Sequence, residues 1–550
     1  MVVLTVAVTV LLSHRQLLEP VALTTRDHAD AYLRVHQYHQ ELSRGHWPQN
    51  FPDAVRGGGH AFPRFYPPLS QTSAVGLYYL TGDVVSATHL SGLLAIVLAG
   101  VFCFLVLRSI TGAVLPAVLG AILYATFPYQ FIALDVRGAF AETWALAFYP
   151  LVLAGLVTSL RRGSPTWWLP LAVAGALASH LVMSAWALPS LLIIALFTAA
   201  PGLTIAGLLR TGLGGVLGAA IVAPWILPTL MEVSGLRAAD PQVIWATPQA
   251  ITSVRWEFYE PVFRVFPYWK ELVALLLGIG VTGLWRSRRD PDLRNRLCWS
   301  SLVVATLLMG LAAAPEPVWR LVPQPLRYIQ FPQRLDGIAS FLLVVALAVA
   351  VSWLTGYRRM MVGLPTAALM ILHAIRLGGQ ILPRSGETGS TILTRLATDY
   401  PDRGLTVVGE YLPRDAEPEQ LAAAIQATLD RTGEAPLLSW TRIGGEYEAT
   451  VSLDRADEVS LPLVAYSFHR VRSDAGSVPT TSRDGQLTVR LEAGTHILRI
   501  ERQWPVSLRI GVVLALVSLA VWMGLLVKEL GAREGAESEK SVPATLPADA

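Results

Sequence analysis

The stretch "VVSATHLSGLLAIVLAGVFCFLVL", residues 84 to 107, decides the fold class of this chain. It carries no Asp, Glu, Lys or Arg, and about 20 apolar residues in a helix cross the roughly 30 Å hydrocarbon layer of a bilayer. Comparable runs recur, and with the apolar amino terminus they predict about twelve transmembrane helices. The further spans are predicted near 112 to 128, 139 to 160, 166 to 184, 187 to 200, 211 to 230, 271 to 285, 297 to 314, 337 to 356, 360 to 378 and 507 to 527.

The composition of the whole chain indicates a polytopic α-helical membrane protein. Of 550 residues, 53% are hydrophobic and 15% are charged. The mean hydropathy is +0.47, which is more apolar than a soluble globular protein tolerates. The net charge of +3 is small for this length, so we expect no nucleic-acid partner. Cys103 and Cys298 fall in or beside apolar spans and are interpreted as packing residues.

The placement of cations predicts the orientation in the membrane, because cytoplasmic loops retain positive charge. Alternate connections carry the cations, which predicts a multi-pass protein of the plasma (inner) membrane with both termini in the cytoplasm. The extracytoplasmic face then receives loops 13–83, 129–138, 231–270 and 315–336, where we expect any chemistry to lie. The cations that set this orientation are Arg108, Arg161, Arg162, Arg210, those of "RSRRDPDLRNR" at 286 to 296, Arg358, Arg359 and Lys528.

The chain divides into four parts by composition. Residues 1–378 are predicted to form a transmembrane domain and 379–505 an extracytoplasmic β-rich, sandwich-like domain, tethered by a final transmembrane helix at 506–528. The polar tail 529–550 is predicted to be disordered and cytoplasmic. Within the β-rich part, a helix is expected at 417–431, and several segments alternate or run apolar at strand length. "LTVRLEAGTHILRIER" is interpreted as a hairpin that turns at Ala493 and Gly494.

The segment "TTRDHADAYLRVHQYHQELSRGHWP", residues 24 to 48, places titratable groups directly after the first apolar run. Its periodicity predicts an amphipathic helix lying on the outer membrane surface. Asp30 and Arg34 have the spacing of a structural ion pair. Asp27 has no such partner and is interpreted either as an N-cap, at capping-box spacing from Asp30, or as a reactive carboxylate. The apolar stripe consists of Ala31, Val35, Tyr38 and Leu42, flanked by Asp27, Asp30, Arg34 and Glu41 on one side and by Tyr32, His36 and His39 on the other.

Two further regions carry ionisable groups at the predicted outer boundary. Glu142 lies about one turn inside a helix that begins near Ala139, with Asp135 and Arg137 in the preceding loop. An ionisable group inside a span is costly, so Glu142 is expected either to pair with Arg137 or to face a polar cavity. His180, near the outer end of its span, could join that cavity or pack as an ordinary buried histidine.

The stretch "PEPVWRLVPQPLRYIQFPQRLD", residues 315 to 336, carries three arginines on a face where short loops should be poor in them. Arg320, Arg327 and Arg334 either contact lipid headgroups or bind an anionic ligand, because the guanidinium group donates two parallel hydrogen bonds to phosphate. Arg334, at the membrane edge beside Asp336, is the best candidate for the phosphate of a donor.

Two weaker patterns remain. His36 and His39, at i, i+3 spacing, could bind a metal ion but lack a third convergent ligand. The loop at 231 to 270 offers aromatic rings for an interfacial belt or for stacking on a sugar or prenyl chain. These rings belong to Trp245, Trp256, Tyr259 and Trp269.

Five motifs follow one another along the chain: "ELSRGHWPQN" with "GGGHAFPRFYPPLS", then "FPYQFIALDVRGAFAETWALAFYPLVLAGL", "ASHLVMSAWALP", "YIQFPQRL" and "GEYLPR". In this order they resemble a bacterial membrane family labelled 6-pyruvoyl-tetrahydropterin-synthase-related, whose members resemble GT-C fold glycosyltransferases. The resemblance implies a GT-C-like transmembrane domain, a catalytic aspartate from the first outer loop and an acidic group from the second. The donor it implies is a sugar on a polyprenyl phosphate. The family commonly has histidine four residues after the aspartate, where this chain has Ala31.

The favoured function is a membrane glycosyltransferase, in which Asp27 takes a proton from an acceptor hydroxyl that attacks a lipid-linked sugar. Arg334 then stabilises the departing phosphate, and Glu142 orients the acceptor or helps to hold a divalent cation, Mg²⁺ or Mn²⁺, together with Asp27. The acceptor is a cell-envelope glycan, a lipid or a protein, and membrane lipids surround the site. The supporting residues are His28, Asp30, Arg34, Asp135, Arg137 and His180, with Arg327 and Arg320 as further phosphate ligands.

Two other classes of function stay open. A lipid or polysaccharide transporter (flippase) usually carries ionisable groups near the middle of the bilayer, whereas here the charges collect along the outer boundary. That distribution favours interfacial chemistry. A non-catalytic membrane scaffold with a glycan-binding outer domain is the other alternative, and the departure at Ala31 is compatible with it.

Overall fold

The computed structural model describes most of the chain. It covers residues 2–23, 27–47, 54–163, 166–239, 292–327, 329, 331–354, 372, 376, 385–399, 411–443 and 446–541. The predicted spans at 271–285 and, except for residues 372 and 376, at 360–378 lie outside the described residues. The same is true of most of loop 231–270, with Trp245, Trp256, Tyr259 and Trp269.

The described part of the chain folds as a helical bundle with a β-domain near its carboxy terminus. The longer helices are α1 (Val2–Ser13), α2 (His28–Ser43), α3 (Leu69–Thr81), α4 (Val84–Thr111), α5 (Val114–Ala125), α6 (Phe140–Arg162), α7 (Trp168–Ser179), α8 (Leu181–Ala199), α9 (Ile205–Ile221), α10 (Ala223–Glu232), α11 (Leu293–Ala312), α12 (Arg334–Ser352), α13 (Gly389–Asp399), α14 (Pro418–Asp430) and α15 (Val506–Ser541).

Seven stretches of helix are long and apolar enough to cross a membrane, or eight if the bent pair α9 and α10 counts as one span. The chain is therefore a membrane protein, while the predicted number of about twelve spans is not confirmed within the described residues. The quoted stretch at 84 to 107 forms most of α4, which begins where the Asp83 carboxylate accepts a hydrogen bond from the Ser86 N–H at 2.7 Å. α1 and α7 have 12 residues each and are too short to cross about 30 Å alone.

The predicted outer loop at 129–138 is instead largely helical. Helix Pro128–Phe131 runs into a π-helical turn, Ile132–Val136, so that a single apolar stretch extends from α5 to residue 136. The prediction of a loop was wrong because the polar side chains in this stretch find buried partners. Asp135 hydrogen-bonds to the buried ring of His14.

Two predicted boundaries also move for local reasons. The predicted span at 211–230 breaks into α9 and α10, which meet at an angle of 80°, because Pro224 in the first turn of α10 cannot continue the hydrogen-bond ladder of α9. The break expected between residues 184 and 187 lies at His180, whose extended backbone ends α7 and begins α8.

The β-domain consists of two sheets with a shared hydrophobic core. One sheet has the order β1-β2-β8-β4-β5 and the other β3-β7-β6. The predicted hairpin at Ala493 and Gly494 is wrong, because β7 pairs with β3 and β6 whereas β8 pairs with β2 and β4. The connection therefore crosses from one sheet to the other. The strands are β1 (Leu437–Ile443), β2 (Glu446–Leu453), β3 (Asp457–Val464), β4 (His469–Ser473), β5 (Gly476–Val478), β6 (Thr480–Arg483), β7 (Gln486–Leu491) and β8 (Gly494–Arg502).

Helix α2 packs against the bundle and the β-domain. Its residues Asp30 and Glu41, which flank the predicted apolar stripe, are 5% and 1% exposed. The Glu41 carboxylate lies 3.3 Å from the Arg442 guanidinium and 3.7 Å from that of Arg502, both in the β-domain, and 2.9 Å from Arg44. These cations offset the cost of burying the charge, so α2 is clamped at its carboxy-terminal end by the β-domain.

A second carboxylate, Glu232 at the end of α10, also joins distant segments. It accepts from the Arg64 guanidinium at 2.5 Å and from the hydroxyls of Ser467 and Ser507 at 3.1 and 2.8 Å. Ser467 precedes β4 and Ser507 lies in the first turn of α15. Helix α15 then continues to Ser541, so the predicted disorder of 529–541 is wrong. Ala, Glu, Lys and Arg, which favour helix, dominate that stretch.

The buried ring of His469 predicts a pH-dependent stability of the β-domain. Burial, together with the charge of Arg502, lowers the pKa of His469 to about 3. Below pH 6.5 the histidine ring binds a proton in the unfolded chain but stays neutral in the folded chain. The free energy of unfolding therefore falls as the pH drops from 6.5 towards 3, by up to about 1.4 kcal/mol per pH unit. Unfolding midpoints at pH 6.5 and 4.5 should differ less for His469→Phe than for the wild type. Equal pH dependence would contradict this assignment.

Candidate active site

A cavity lies where the first turns of α2, α6 and α12 meet α3 and the amino-terminal part of α4. Three guanidinium groups and two carboxylates line it, which gives a net positive charge. Asp27 and Glu142, the two carboxylates predicted to act together, open onto this same cavity. The lining residues are Asp27, Ala31, Arg34, Val35, Tyr66, Ser70, Gln71, Ala74, Thr88, Ser91, Arg137, Gly138, Ala139, Phe140, Ala141, Glu142 and Arg334.

The Glu142 carboxylate is the centre of a buried ionic cluster. Its Oε2 accepts from Arg137 Nη1 at 2.7 Å and from the Tyr129 hydroxyl at 2.8 Å. Its Oε1 accepts from Arg334 Nε at 2.7 Å, and the ring of His180 lies 4.0 Å away. Both expected roles of Glu142, pairing with Arg137 and facing a polar cavity, are therefore realised together.

The two guanidinium groups are held from several sides. Arg334 Nη1 donates to the Ile329 carbonyl at 2.7 Å. The carbon centres of the Arg137 and Arg334 guanidiniums lie 5.2 and 4.9 Å from the centre of the Phe331 ring, within cation–π range. Since one carboxylate and one ring fix both side chains, the pair presents a rigid, positively charged wall to the cavity.

The same geometry does not suit a divalent cation between Asp27 and Glu142. Oε2 of Glu142 already accepts two hydrogen bonds, and a guanidinium contacts each oxygen. A metal ion at this carboxylate would stand beside two positive charges, which is electrostatically unfavourable. No cluster of three or more His, Cys, Asp or Glu side chains that could hold a metal is found among the described residues. The contacts of Glu142 therefore suit a residue that positions the Arg137 and Arg334 side chains better than they suit a metal ligand.

Asp27 occupies the N-cap position of α2 without acting as a cap. Its backbone is close to helical, with φ −92° and ψ −3°, and its side chain accepts no capping hydrogen bond. Within the described residues no ion pair or side-chain hydrogen bond of Asp27 is found, and the residue lines the cavity. The N-cap alternative is thus wrong for the side chain, although the residue sits at the expected position.

The backbone fixes Asp27 beside the arginine wall. The Asp27 N–H donates to the Arg137 carbonyl at 2.9 Å. The chain then turns at Gly138, where φ is +73° and a Cβ atom would come within 2.7 Å of the His28 backbone nitrogen. Only glycine permits both the left-handed turn and this close approach, which brings the carboxylate and the Arg137 side chain to one cavity.

Arg34 adds a third guanidinium group to the cavity, and Tyr66 adds an uncharged hydroxyl. The predicted ion pair between Asp30 and Arg34 does not form; the Arg34 guanidinium instead lies 4.3 Å from the centre of the Phe62 ring and 5.9 Å from that of Tyr66. Burial raises the pKa of the Tyr66 hydroxyl to about 12, so it remains a protonated donor at neutral pH.

The predicted supporting residues divide into those near the cavity and those away from it. His180 caps α8, its Nδ1 accepting from the Met183 N–H at 3.2 Å, and its other nitrogen approaches Glu142. His28 is buried beside Phe140, with ring centres 5.5 Å apart. Asp30 is buried but does not line the cavity, and Asp135 pairs with His14.

The structure separates Arg327 and Arg320 from Arg334. Arg327 donates from Nε to the Val322 carbonyl at 2.6 Å and from Nη2 to the Arg320 carbonyl, so it closes its own turn. Neither Arg327 nor Arg320 lines the cavity. The excess of arginine in this loop therefore has partly a structural cause.

His36 and His39 lie on another face of α2. His36 Nε2 is 3.0 Å from Gln40 Nε2, and the His39 ring packs 4.5 Å from the Tyr78 ring and 4.7 Å from that of Tyr79. Neither histidine lines the cavity. Their spacing thus serves packing within α2 and α3 in the described structure.

Sequence reasoning missed several polar residues of the site, among them Tyr129, Tyr66 and Gln71. Tyr129 bonds to Glu142, and the other two line the cavity. A signal for Tyr129 was present, since it begins the short segment 129–138 that contains Arg137. No local pattern distinguishes Gln71 from any other polar residue in the first turn of a helix.

Comparison with solved structures finds mycobacterial arabinofuranosyltransferase AftD. The TM-score is 0.47, with 16% sequence identity over 78% of this chain and 28% of that chain. A mutant form of the same enzyme gives a TM-score of 0.43, again at 16% identity, over 70% of this chain and 28% of that chain. The chain thus spans little more than a quarter of the length of these structures. No family model and no curated protein matches the sequence, so the family resemblance stays a prediction.

Proposed function

We propose that this protein is a membrane glycosyltransferase that moves a sugar from a polyprenyl phosphate to an acceptor hydroxyl. The observation that carries the proposal is a single cavity that is lined by Asp27, which has no ion pair among the described residues, and by the cluster of Arg137, Glu142 and Arg334. A base and an anion-binding wall are the two elements that this transfer requires.

In the proposed reaction, Asp27 removes the proton of the acceptor hydroxyl as its oxygen attacks the anomeric carbon. The bond between that carbon and the phosphate oxygen breaks, and the electron pair leaves with the polyprenyl phosphate. Arg334 and Arg137 stabilise the negative charge on this leaving group. Their guanidinium groups are already ordered by Glu142, so little reorganisation opposes catalysis.

The proposal gives Glu142 a positioning role. The buried cluster contains one carboxylate, that of Glu142, and two guanidinium groups, so it carries one positive charge in excess. An anionic ligand can neutralise this charge. Phosphate suits this wall because arginine donates hydrogen bonds in a planar fork.

The test is binding of undecaprenyl phosphate and of neutral undecaprenol to the full chain in lipid nanodiscs. We expect the phosphate to bind at least about 10-fold more tightly than the alcohol, because a charge-assisted hydrogen bond contributes about 1.5–3 kcal/mol. Arg334→Lys keeps the charge but loses the fork, and should weaken phosphate binding about 10-fold. Arg327→Lys is the matched control, since that guanidinium serves its own turn.

Binding alone does not distinguish transfer from transport, so the second readout is mass spectrometry of the products. Glucosyl, mannosyl and arabinosyl esters of undecaprenyl phosphate are incubated with the protein and a cell-envelope extract as acceptor. A transferase releases free undecaprenyl phosphate and forms a new glycosidic bond. Flux of intact lipid across vesicles without new bonds, or equal binding of phosphate and alcohol, would overturn the proposal.

A further inference from the structure

A separate part of the cavity wall is polar but uncharged. Ser70 and Gln71 in the first turn of α3 and Thr88 and Ser91 in the first two turns of α4 face the cavity. All four are buried, with Gln71 8% exposed. Buried polar groups need hydrogen-bond partners, so the bonds made by this wall show what it can still offer a ligand.

The hydroxyl donors of this wall are already used within the protein. Ser70 Oγ donates to Gln71 Oε1 at 2.7 Å, and Thr88 Oγ1 donates to the Val84 carbonyl at 2.7 Å. The Ser91 hydroxyl shares a 2.7 Å hydrogen bond with Ser73 and accepts from the Trp144 indole N–H at 3.1 Å. These bonds hold the wall rigid.

The Gln71 amide nitrogen is different. Its oxygen accepts from Ser70, which fixes the orientation of the amide, and no acceptor for its NH₂ group is found in the part of the chain that the structure describes. Gln71 lines the cavity, so an oxygen of a bound ligand beside the amide would supply the acceptor that this donor lacks among the described residues. The Tyr66 hydroxyl, which also lines the cavity, makes no hydrogen bond to another described residue either.

We propose that Gln71 is a specificity residue that donates a hydrogen bond from its amide nitrogen to an oxygen of a neutral sugar ring bound in this cavity. The inference rests on the proposed function and deepens it, because it separates a sugar-binding wall from the phosphate-binding wall. The sugar ring is either the one carried by the donor lipid or one that belongs to the acceptor, and both present hydroxyl and ether oxygens to the amide.

The test uses the full chain in nanodiscs and two kinds of ligand. One arm measures the Kd of undecaprenyl phosphate and of its glucosyl, mannosyl and arabinosyl esters. The other measures binding of the corresponding methyl glycosides. Gln71→Met keeps the length of the side chain and removes the donor. Gln130→Met is the matched control, because Gln130 is a fully buried glutamine that does not line the cavity.

For a donor sugar, Gln71→Met should weaken binding of the preferred ester about 10-fold while leaving the Kd of sugar-free undecaprenyl phosphate unchanged. For an acceptor sugar, only methyl glycoside binding should weaken by that factor. The unchanged Kd of the sugar-free lipid also shows that the variant is folded. If Gln71→Met binds every ester and glycoside like the wild type, the inference is wrong while the proposed function stands. A wild-type protein that binds no lipid phosphate overturns both.

Discussion

Replacing Asp27 by asparagine is expected to reduce the rate of sugar transfer by about 10²- to 10⁴-fold, the usual contribution of a general base. The amide has nearly the same shape but cannot accept the proton of the acceptor hydroxyl. Folding should be preserved, since the Asp27 side chain makes no capping bond and asparagine is in any case a good residue at this position. The measurement is the initial rate of undecaprenyl phosphate release from the active ester, with thermal unfolding recorded in parallel.

Asp83→Asn is the matched control for this prediction. Asp83 also occupies an N-cap position, but its carboxylate does accept from the Ser86 N–H and it lies outside the cavity. Asparagine retains that bond, so transfer should proceed at close to the wild-type rate. A wild-type rate in Asp27→Asn would remove Asp27 from the mechanism.

Replacing Glu142 by glutamine is expected to cost about 3–5 kcal/mol of unfolding free energy, because breaking a buried ion pair leaves uncompensated charge. Here two guanidiniums, those of Arg137 and Arg334, would lose their counter-charge at 2.7 Å. Glutamine keeps the shape and one acceptor oxygen, so the loss reports charge rather than volume. Denaturant unfolding in mixed micelles measures the stability, and the same variant should bind undecaprenyl phosphate more weakly because the arginines are no longer ordered.

Glu448→Gln provides the comparison. Glu448 pairs with Arg499 at 3.5 Å, but the two side chains are 40% and 71% exposed, and exposed pairs contribute about 0–1 kcal/mol. If Glu142→Gln destabilises no more than Glu448→Gln does, the buried cluster is not the electrostatic centre described above.

The hydrophobic pattern of the sequence predicts the membrane-spanning part well where length and apolarity coincide. The run at 84 to 107 becomes most of α4, and the expected helix start near Ala139 agrees with α6. The pattern fails at 129–138, because sequence alone does not reveal that Asp135 will meet His14 across 121 positions. A charged residue in an apolar stretch is therefore assigned to a loop unless its buried partner is known.

The β-domain shows a different limit. Alternation of apolar and polar residues identifies β7 and β8 as strands, yet alternation is the same in a hairpin and in a crossing between sheets. The sheet that a strand joins is determined by its contacts with the other strands. A local sequence pattern does not contain those contacts. Glu41 follows the same logic, since its burial depends on Arg442 and Arg502.

At the candidate site, Asp27, Glu142 and Arg334 could be singled out because ionisable groups at helix ends stand out against an apolar background. Their meeting in one cavity could not be derived, because it depends on a backbone bond to Arg137 and on the tight turn at Gly138. Gln71 could not be found, since only the folded structure places it on the cavity wall with its amide oxygen bonded to Ser70.

The clamp on Glu41 has a consequence for biosynthesis. The helix that begins after Asp27 is complete early in translation, whereas Arg442, one of the cations that neutralise Glu41, follows 401 positions later. At about 5–20 residues per second, the ribosome needs roughly 20 to 80 s to supply it. Throughout that interval Glu41 has the nearby Arg44 but lacks its two partners in the β-domain, so its ionic cluster is complete only after β8 has been made.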